Sequence, residues 1–531
     1  MPTRRRFCPC RLRRRLAGAG LVVGFGAALV SAPALVSAPA LADPPPLPPG
    51  LAAPPDPNRE TAERSETSAE GPALPPGLAA PAKPASPRAE TPPALPAGLG
   101  RPDAPAAADD AAQTTDAASP VDRVWGRILD GVTGFAETRA AVRLADDPRQ
   151  DAFAMGEARL QLDGTWYTGP ATLNLTVDFL GDAIARDRSI DLERGRGVVD
   201  LRTANILLRP LDFADVKVGR QILTWGVGDL VFLNDLFPKD FVSFFIGRDT
   251  EYLKAPSDAV RVSLFSGLAN LDMVYMPRFE PNRFITGERL SLYNPALDAL
   301  VGGGRAVRPV PRDDWFGDDE LAFRLYRNVG AFEVAAYAFR GYYKNPEGLT
   351  PAGGFRFPEL AAYGASLRGP VGAGILSAEM AYYHSREDPG GTDFTTPNSQ
   401  WRALIGYEWE WLPNLTVGAQ VNTEINTDVA ALRAALPAFI DAESPFADRA
   451  RHQLTLRMTK QALNQTLTLS LFTFWSPNQK DGHVRLRAGY KITDQWLVEG
   501  GANLFFGARN DSFFGQLQDA GNVFFALRRN F

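Results

Sequence analysis

The residue types that most often carry catalysis are sparse in this sequence. The histidines are His384, His452 and His483, far apart in the chain, and both cysteines, Cys8 and Cys10, lie near the N-terminus. A catalytic nucleophile needs a base within hydrogen-bonding distance, and no nucleotide-binding loop, HExxH zinc motif or EF-hand loop is present. We therefore expect no enzymatic activity, no cofactor and no metal site.

A different chemistry, the handling of polar solutes, is indicated by basic side chains at alternating positions of otherwise apolar segments. Arginine offers fixed, planar donors to anions and hydroxyl groups, and rings of such side chains give pores their selectivity. The candidates for lining a lumen are Arg159, Arg202, Lys217, Arg261, Arg324, Arg402, Arg457, Arg485 and Arg487. They predict a hydrophilic solute that is anionic or polyhydroxylated.

The segment 224–257 is too rich in aromatic residues for a loop that lies in water. Its candidates for forming a constriction are Trp225, Phe232, Phe237, Phe241, Phe244, Phe245 and Tyr252. Such a segment could fold into a barrel as a constriction, offer an apolar surface to an amphiphile, cover the barrel mouth, or form an extra hairpin. The sequence leaves these alternatives open.

The elements that position these residues show a period of two. In one example Ala158, Leu160 and Leu162 alternate with Glu157 and Arg159. Many such segments run to about ten residues, the length of a tilted transmembrane strand. We expect strands near 128–142, 154–168, 171–180, 198–209, 214–223, 258–266, 268–277, 320–328, 331–342, 360–368, 372–384, 400–410, 415–424, 451–459, 466–475, 483–491, 496–506 and 521–531.

Long and short connections alternate between these segments. The predicted single-residue connection at 267 is the shortest, 278–319 is the longest, and 476–482 counts as long. Long loops at one end and short turns at the other are typical of outer-membrane barrels. The predicted fold is therefore all-β, a transmembrane antiparallel up-and-down β-barrel over 121–531 with about 18 strands (16–18), preceded by a disordered Pro/Ala-rich segment.

The N-terminal residues 1–42 resemble a secretory signal peptide. Arginines precede an apolar run, and Ala40-Leu41-Ala42 forms a small-residue cleavage site. Thr3-Arg4-Arg5-Arg6-Phe7 also resembles a twin-arginine signal, so two export routes stay open. An acidic balance, a net charge of −5, argues against nucleic-acid binding.

Residues 43–120 contain no Phe, Trp or Tyr and many prolines, which predicts a disordered periplasmic linker. The phrase Leu-Pro-Pro-Gly-Leu-Ala-Ala-Pro occurs at 47–54 and 74–81, and a shorter form at 95–99. It is either slippage in a low-complexity tract or a docking motif for a periplasmic partner. The docking candidates are Leu47, Leu51, Leu74, Leu78, Leu95 and Leu99.

The last strand ends in Phe531, with Val523, Phe525 and Leu527 in phase. This pattern resembles the signal by which the barrel-assembly machinery of the outer membrane recognises its clients, although Arg529 departs from it. Aromatic residues expected in the girdles at the two membrane surfaces are Tyr382, Tyr383, Trp409, Trp411, Trp475, Tyr490 and Trp496.

The layout over 121–531, together with Gly219-Arg220-Gln221 followed by Trp225-Gly226, resembles the proteobacterial porin-like outer-membrane barrels, including alginate-export-type and substrate-specific porins. The resemblance implies a passive channel in the outer membrane of a Gram-negative bacterium. The linker favours an alternative, a component of an envelope export or lipid-transfer assembly. A structural barrel with a plugged lumen is the third possibility.

Overall fold

The computed structural model describes residues 131–184, 189–191, 196–295, 297–303, 306–437, 440 and 444–531. The predicted signal peptide, the linker and its leucine repeats lie outside these residues. In the described part of the chain, no helix is long and apolar enough to cross a membrane.

Eighteen strands of the described chain form one antiparallel sheet that closes on itself. The strands are β1 Val132–Arg143, β2 Phe153–Thr168, β3 Ala171–Asp182, β4 Val199–Leu211, β5 Ala214–Ile222, β6 Pro256–Leu264, β7 Asn270–Met276, β8 Glu320–Val329, β9 Phe332–Tyr342, β10 Glu359–Val371, β11 Gly374–Ser385, β12 Gln400–Leu412, β13 Leu415–Asn426, β14 Ala450–Ala462, β15 Leu467–Ser476, β16 Asp481–Lys491, β17 Trp496–Gly507 and β18 Asn522–Asn530. The predicted fold class and strand number are confirmed.

Each strand pairs with the next along the chain, and β18 pairs with β1 to close the barrel. The last residue continues this seam: the Phe531 N–H donates to the Gly134 carbonyl at 2.9 Å, and the Gly134 N–H donates to the Phe531 carbonyl at 3.0 Å. Closure leaves no free sheet edge among these strands, as a barrel within lipid requires.

The connections differ from the predicted alternation at two places. The turn between β6 and β7 covers 265–269 rather than residue 267 alone, because pairing ends at Leu264 and Leu271. The connection between β15 and β16 is only 477–480, as short as the turn 463–466, because these strands stay paired as far as Ser476 and Asp481. The predicted long connection 476–482 is therefore wrong.

The long connections at one end of the barrel, called here the long-loop end, carry small elements of their own. They include the helices α1 Phe241–Ile246 and α2 Val429–Ala435 and short 3-10 helices at Thr250–Leu253, Pro445–Ala447 and Gly515–Ala520. Short hairpins pair Ile190–Asp191 with Arg196–Gly197, Leu292–Asn294 with Ala299–Val301, and Gly348–Leu349 with Phe355–Arg356. The main cluster of buried apolar residues lies where residues 223–255 meet the barrel wall.

Candidate functional site

The two faces of the barrel wall have opposite chemistry. Exposed apolar side chains on the outward face include Leu160, Leu173, Phe179, Val218, Phe323, Leu325, Met380, Ile405, Val421, Leu469, Leu486, Leu504 and Phe525. The inward face carries the charged and amide side chains of the same strands, most of them buried. An apolar exterior around a polar interior is the arrangement of a transmembrane barrel with an aqueous lumen.

The predicted aromatic girdle needs one correction. Trp411, Trp475, Tyr490 and Trp496 are exposed on the outer side near strand ends. Tyr383 instead points inward and is buried, because its hydroxyl donates to the Leu233 carbonyl at 2.6 Å.

The connection 223–255 between β5 and β6 folds into the barrel interior; we call it the inserted loop. Trp225 packs against Phe237, with ring centroids 4.9 Å apart. The loop contains α1, which begins after Asp240, whose side chain accepts from the Ser243 N–H at 2.7 Å. The helix ends at Gly247, where φ is +100° and an added Cβ would lie 2.6 Å from the Phe524 ring, so only glycine fits.

The first half of the inserted loop is attached to β11 and β13. The buried Glu379 carboxylate accepts from the Gly228 N–H at 2.7 Å, the Asn234 N–H at 3.3 Å and the Asn234 side-chain amide at 3.0 Å. It also accepts from the Val227 N–H. Gln420 on β13 bonds both the N–H and the carbonyl of Asp229, each at 2.8 Å. We call this set the Glu379 anchor.

The second half of the inserted loop is attached to a different part of the wall. Arg485 on β16 donates to the Phe244 and Arg248 carbonyls. Arg487 donates to the Asp249 carboxylate at 2.8 Å. The loop therefore spans the lumen from β11 and β13 to β16.

Aromatic packing reinforces this second attachment. His483 is fully buried and stacks on Phe505 with centroids 4.5 Å apart, while Phe245 meets both rings edge-on at 5.5 and 5.4 Å. The Asn522 side-chain amide donates to the Phe245 carbonyl at 3.0 Å. The imidazole is thus part of a packed aromatic cluster rather than of a catalytic group.

Tyr252, near the end of the inserted loop, is held by two of the predicted arginines. The Arg159 and Arg202 guanidinium carbons lie 4.0 and 4.6 Å from its ring centroid. Cation–π contacts of desolvated groups are worth up to about 2 kcal/mol each. Burial raises the pKa of the Tyr252 hydroxyl, and the arginines only partly oppose this rise.

A second connection, 277–319, supports the inserted loop from its other side. Arg283 forms a bidentate pair with Asp200 at 2.6 and 2.7 Å, and Asn282 accepts from the Lys239 N–H at 2.7 Å. Burial alone would lower the pKa of Arg283, but the Asp200 carboxylate outweighs it and raises that pKa above its usual value. The inserted loop is therefore fixed to wall and loop alike.

The predicted lumen residues divide into two groups. Arg159, Arg202 and Arg485 lie under the inserted loop, at most 5% exposed, and act as its supports. The others keep exposed area towards the lumen: the side chains of Arg261 and Arg457 are 35% exposed. Arg487, Arg324, Arg402 and Lys217 are half-buried. Arg457 and Arg487 belong to both groups, because they also pair with Asp229 and Asp249 of the inserted loop.

Several residues that hold the inserted loop are not distinguishable in the sequence. Glu379, Gln420, Arg283 and Asn522 occupy ordinary polar positions of strands and loops. Their role follows from contacts with residues far away along the chain, for which no local pattern gives a signal.

The segment Gly219-Arg220-Gln221 has a structural role at the start of the inserted loop. Gly219 has φ +117°, and a Cβ there would lie 2.4 Å from the Ala204 carbonyl oxygen. Arg220 donates to the Leu201 carbonyl at 2.8 Å and Gln221 to the Ala259 carbonyl at 3.0 Å. These contacts fix the end of β5 against its two neighbouring strands.

No protein-family model matches the sequence, and a search of curated proteins finds no match. Among solved structures, the chain is similar to Acinetobacter baumannii OccAB4, with 10% identity and a TM-score of 0.46 over 75% of this chain and 97% of that one. It is also similar to Pseudomonas aeruginosa OccK11 (OpdR), with 11% identity and a TM-score of 0.42 over 76% and 96%. It is similar as well to a mutant of the Rh. blastica porin, with 11% identity and a TM-score of 0.33 over 75% of this chain and 99% of that one.

The fold and its two faces define the class of protein: a transmembrane antiparallel β-barrel with a strand number in the porin range.

Proposed function

We propose that the protein is a passive porin-like channel of the outer membrane for small hydrophilic solutes, with a preference for anions. One observation carries the proposal: beside the inserted loop, basic side chains of the wall remain partly exposed to the lumen. Barrels of 16–18 strands are wide enough to leave an aqueous path. The inserted loop narrows that path, as a constriction does.

The preference for anions follows from which charges solvent reaches. The carboxylates Asp178 and Asp272 are fully buried and paired with Arg159 and Arg261 respectively. The Arg261 side chain is 35% exposed whereas its partner Asp272 is fully buried. Arg457 is equally exposed, but it pairs at 3.0 Å with Asp229 of the inserted loop, which is 31% exposed. A permeating ion therefore meets more accessible positive than negative charge around Arg261, which is paired across the strands with Lys217.

The test is a planar-bilayer recording of the full-length exported protein in a KCl gradient. We expect a steady open conductance and a reversal potential shifted towards the equilibrium potential of chloride. In the double variant Arg261→Gln/Arg457→Gln the chloride-to-potassium permeability ratio should fall. One charge about 7 Å from the ion contributes about 0.6 kcal/mol in water, favourable for chloride and unfavourable for potassium, so each substitution should lower the ratio about sevenfold.

The matched control is Arg308→Gln, which removes the same charge from an exposed position of the long-loop end. It should leave the reversal potential unchanged. A closed barrel, or a reversal potential on the potassium side, would contradict the proposal. The closed outcome would favour the barrel with a plugged lumen.

A further inference from the structure

A row of three charged residues crosses the lumen wall towards the long-loop end of the barrel. Arg402, Glu424 and Arg451 occupy directly paired positions on β12, β13 and β14. Their sequence neighbours Trp401 and Ile425 are exposed on the outward face, so the row faces inward. Two inter-strand spacings give it a span of roughly 10 Å, which suits a small solute.

The row carries two cations and one carboxylate, and its charges are partly accessible. The Arg402 guanidinium lies 3.8 Å from the Glu424 carboxylate, close enough to attract it and too far to hydrogen bond. Both side chains keep part of their surface exposed. Arg402 is fixed in place by the Tyr383 ring, 3.9 Å below its guanidinium carbon, and by Gln400, whose oxygen accepts from it at 2.7 Å.

Four of the seventeen buried side-chain polar atoms without a hydrogen-bond partner in the described chain lie on this row or beside it. They are the Asn422 side-chain oxygen, two guanidinium nitrogens of Arg451 and the Tyr343 hydroxyl. Asn422 and Tyr343 are themselves buried, 2% and 4% exposed. Most buried polar atoms in proteins have partners, so a group of orphans of both donor and acceptor type needs an explanation.

Tyr343 belongs to the same group although it lies outside the strands. It belongs to the same buried cluster as Tyr383, whose ring lies under Arg402. Glu347 and Arg402 are the charged groups that act most strongly on its hydroxyl. Burial raises the pKa of this hydroxyl, which therefore stays protonated and can both donate and accept. Glu347 is exposed and brings the balance to two cations and two carboxylates.

We infer that this part of the wall is a binding subsite for a neutral, polyhydroxylated solute such as a monosaccharide or sugar alcohol. Hydroxyl groups both donate and accept, which matches the mixed orphans, whereas a simple carboxylate would meet as many negative as positive charges. The inference rests on the proposed channel function and names a solute class that the more basic surface around Arg261 does not select.

The test measures binding rather than transport. Full-length protein in detergent micelles is equilibrated by dialysis with radiolabelled glucose, and mannitol and succinate are used as competitors. We expect saturable glucose binding that mannitol displaces and succinate does not. Tyr343→Phe, which removes only the orphan hydroxyl, should weaken binding about fivefold, the loss of one neutral hydrogen bond.

The matched control is Tyr337→Phe, which removes a lumen hydroxyl that already pairs with the Ser366 hydroxyl at 2.9 Å. It should leave the affinity for glucose unchanged. Asn422→Leu serves as a second variant, and bilayer conductance verifies that each variant forms a barrel.

Three results would overturn the inference. They are the absence of glucose binding to a conducting wild-type channel, equal affinity of wild type and Tyr343→Phe, and displacement of glucose by succinate but not by mannitol. The first of these leaves the proposed channel function intact. A barrel that binds glucose without conducting would instead contradict the channel and keep the subsite.

Discussion

The Glu379 anchor gives a prediction whose size can be worked out from its geometry. One carboxylate oxygen accepts from the Val227 and Gly228 N–H groups, and the other accepts from the backbone and side-chain N–H groups of Asn234. In Glu379→Gln one carboxylate oxygen is replaced by an NH2 group, which cannot accept a hydrogen bond from these N–H donors. Two charge-assisted hydrogen bonds are lost and the remaining two become neutral.

Hydrogen bonds to charged groups contribute about 1.5–3 kcal/mol each, and neighbouring ones are not additive. We therefore expect the substitution to cost about 3 kcal/mol of loop attachment, an increase of about 100-fold in the detached population. The attachment of the loop at Arg485 and Arg487 is untouched, so only its first half should come free.

The assay is single-channel recording, in which a detached loop appears as a state of larger conductance. The fraction of time spent in that state should rise strongly in Glu379→Gln. The matched control is Glu333→Gln, because Glu333 is a lumen carboxylate that pairs with Arg324 of the wall at 2.7 Å. The thermal stability of the barrel should be the same in both variants.

Identical conductance traces for the two variants would refute the reasoning, since they would mean that the hydrogen bonds to Glu379 do not hold the loop. A fall in the melting temperature of Glu379→Gln alone would also contradict it, because the anchor would then support the wall rather than the loop.

Two further predictions concern the other end of the inserted loop and its first residues. Burial would raise the pKa of Asp249, but Arg487, Arg528 and Arg139 outweigh it and hold that pKa below its usual 3.8. The attachment should therefore persist above pH 3.8 and be lost as the pH falls through the lowered value. Reversible conductance changes in this acidic range would reveal the loss, and Asp249→Asn should abolish the pH dependence. A conductance change centred near pH 6 would contradict the assignment to Asp249. Gly219→Ala should lower the free energy of unfolding by about 1–3 kcal/mol, because φ is positive there and the added Cβ would meet the Ala204 carbonyl. The loss is measured as a shift in the denaturant midpoint, with Gly267→Ala as the control, since a Cβ added at Gly267 has nothing within 4 Å. Equal midpoints for the two variants would show that the backbone relaxes.

The wall of the barrel could be predicted from the sequence because side-chain direction alternates along a strand. Alternation such as Leu160 against Arg159 assigns each residue to a face of the wall. Because like faces must match across neighbouring strands, the register of each strand pair is also largely determined. The predicted place of Tyr383 in the aromatic girdle was wrong because its partner, the Leu233 carbonyl, lies on a loop whose path the sequence does not specify.

The contents of the lumen were less predictable for the same reason. The aromatic residues of 224–257 indicated an unusual loop, but Phe245 packs against Phe505, a contact that no local pattern encodes. Arg159 and Arg261 are both arginines at inward-facing positions of the wall, so the sequence does not distinguish them. Only the path of the inserted loop makes one a support and leaves the other exposed.

The wall-to-wall path of the inserted loop also constrains the order in which the molecule can be assembled. The loop follows β5, whereas its partners Arg485 and Asn522 belong to strands made near the end of the chain. Contacts between such distant residues form late and slowly. β18 also pairs with β1 and so closes the barrel. The loop must therefore already lie inside the barrel when these two strands pair, because a loop left outside could no longer enter.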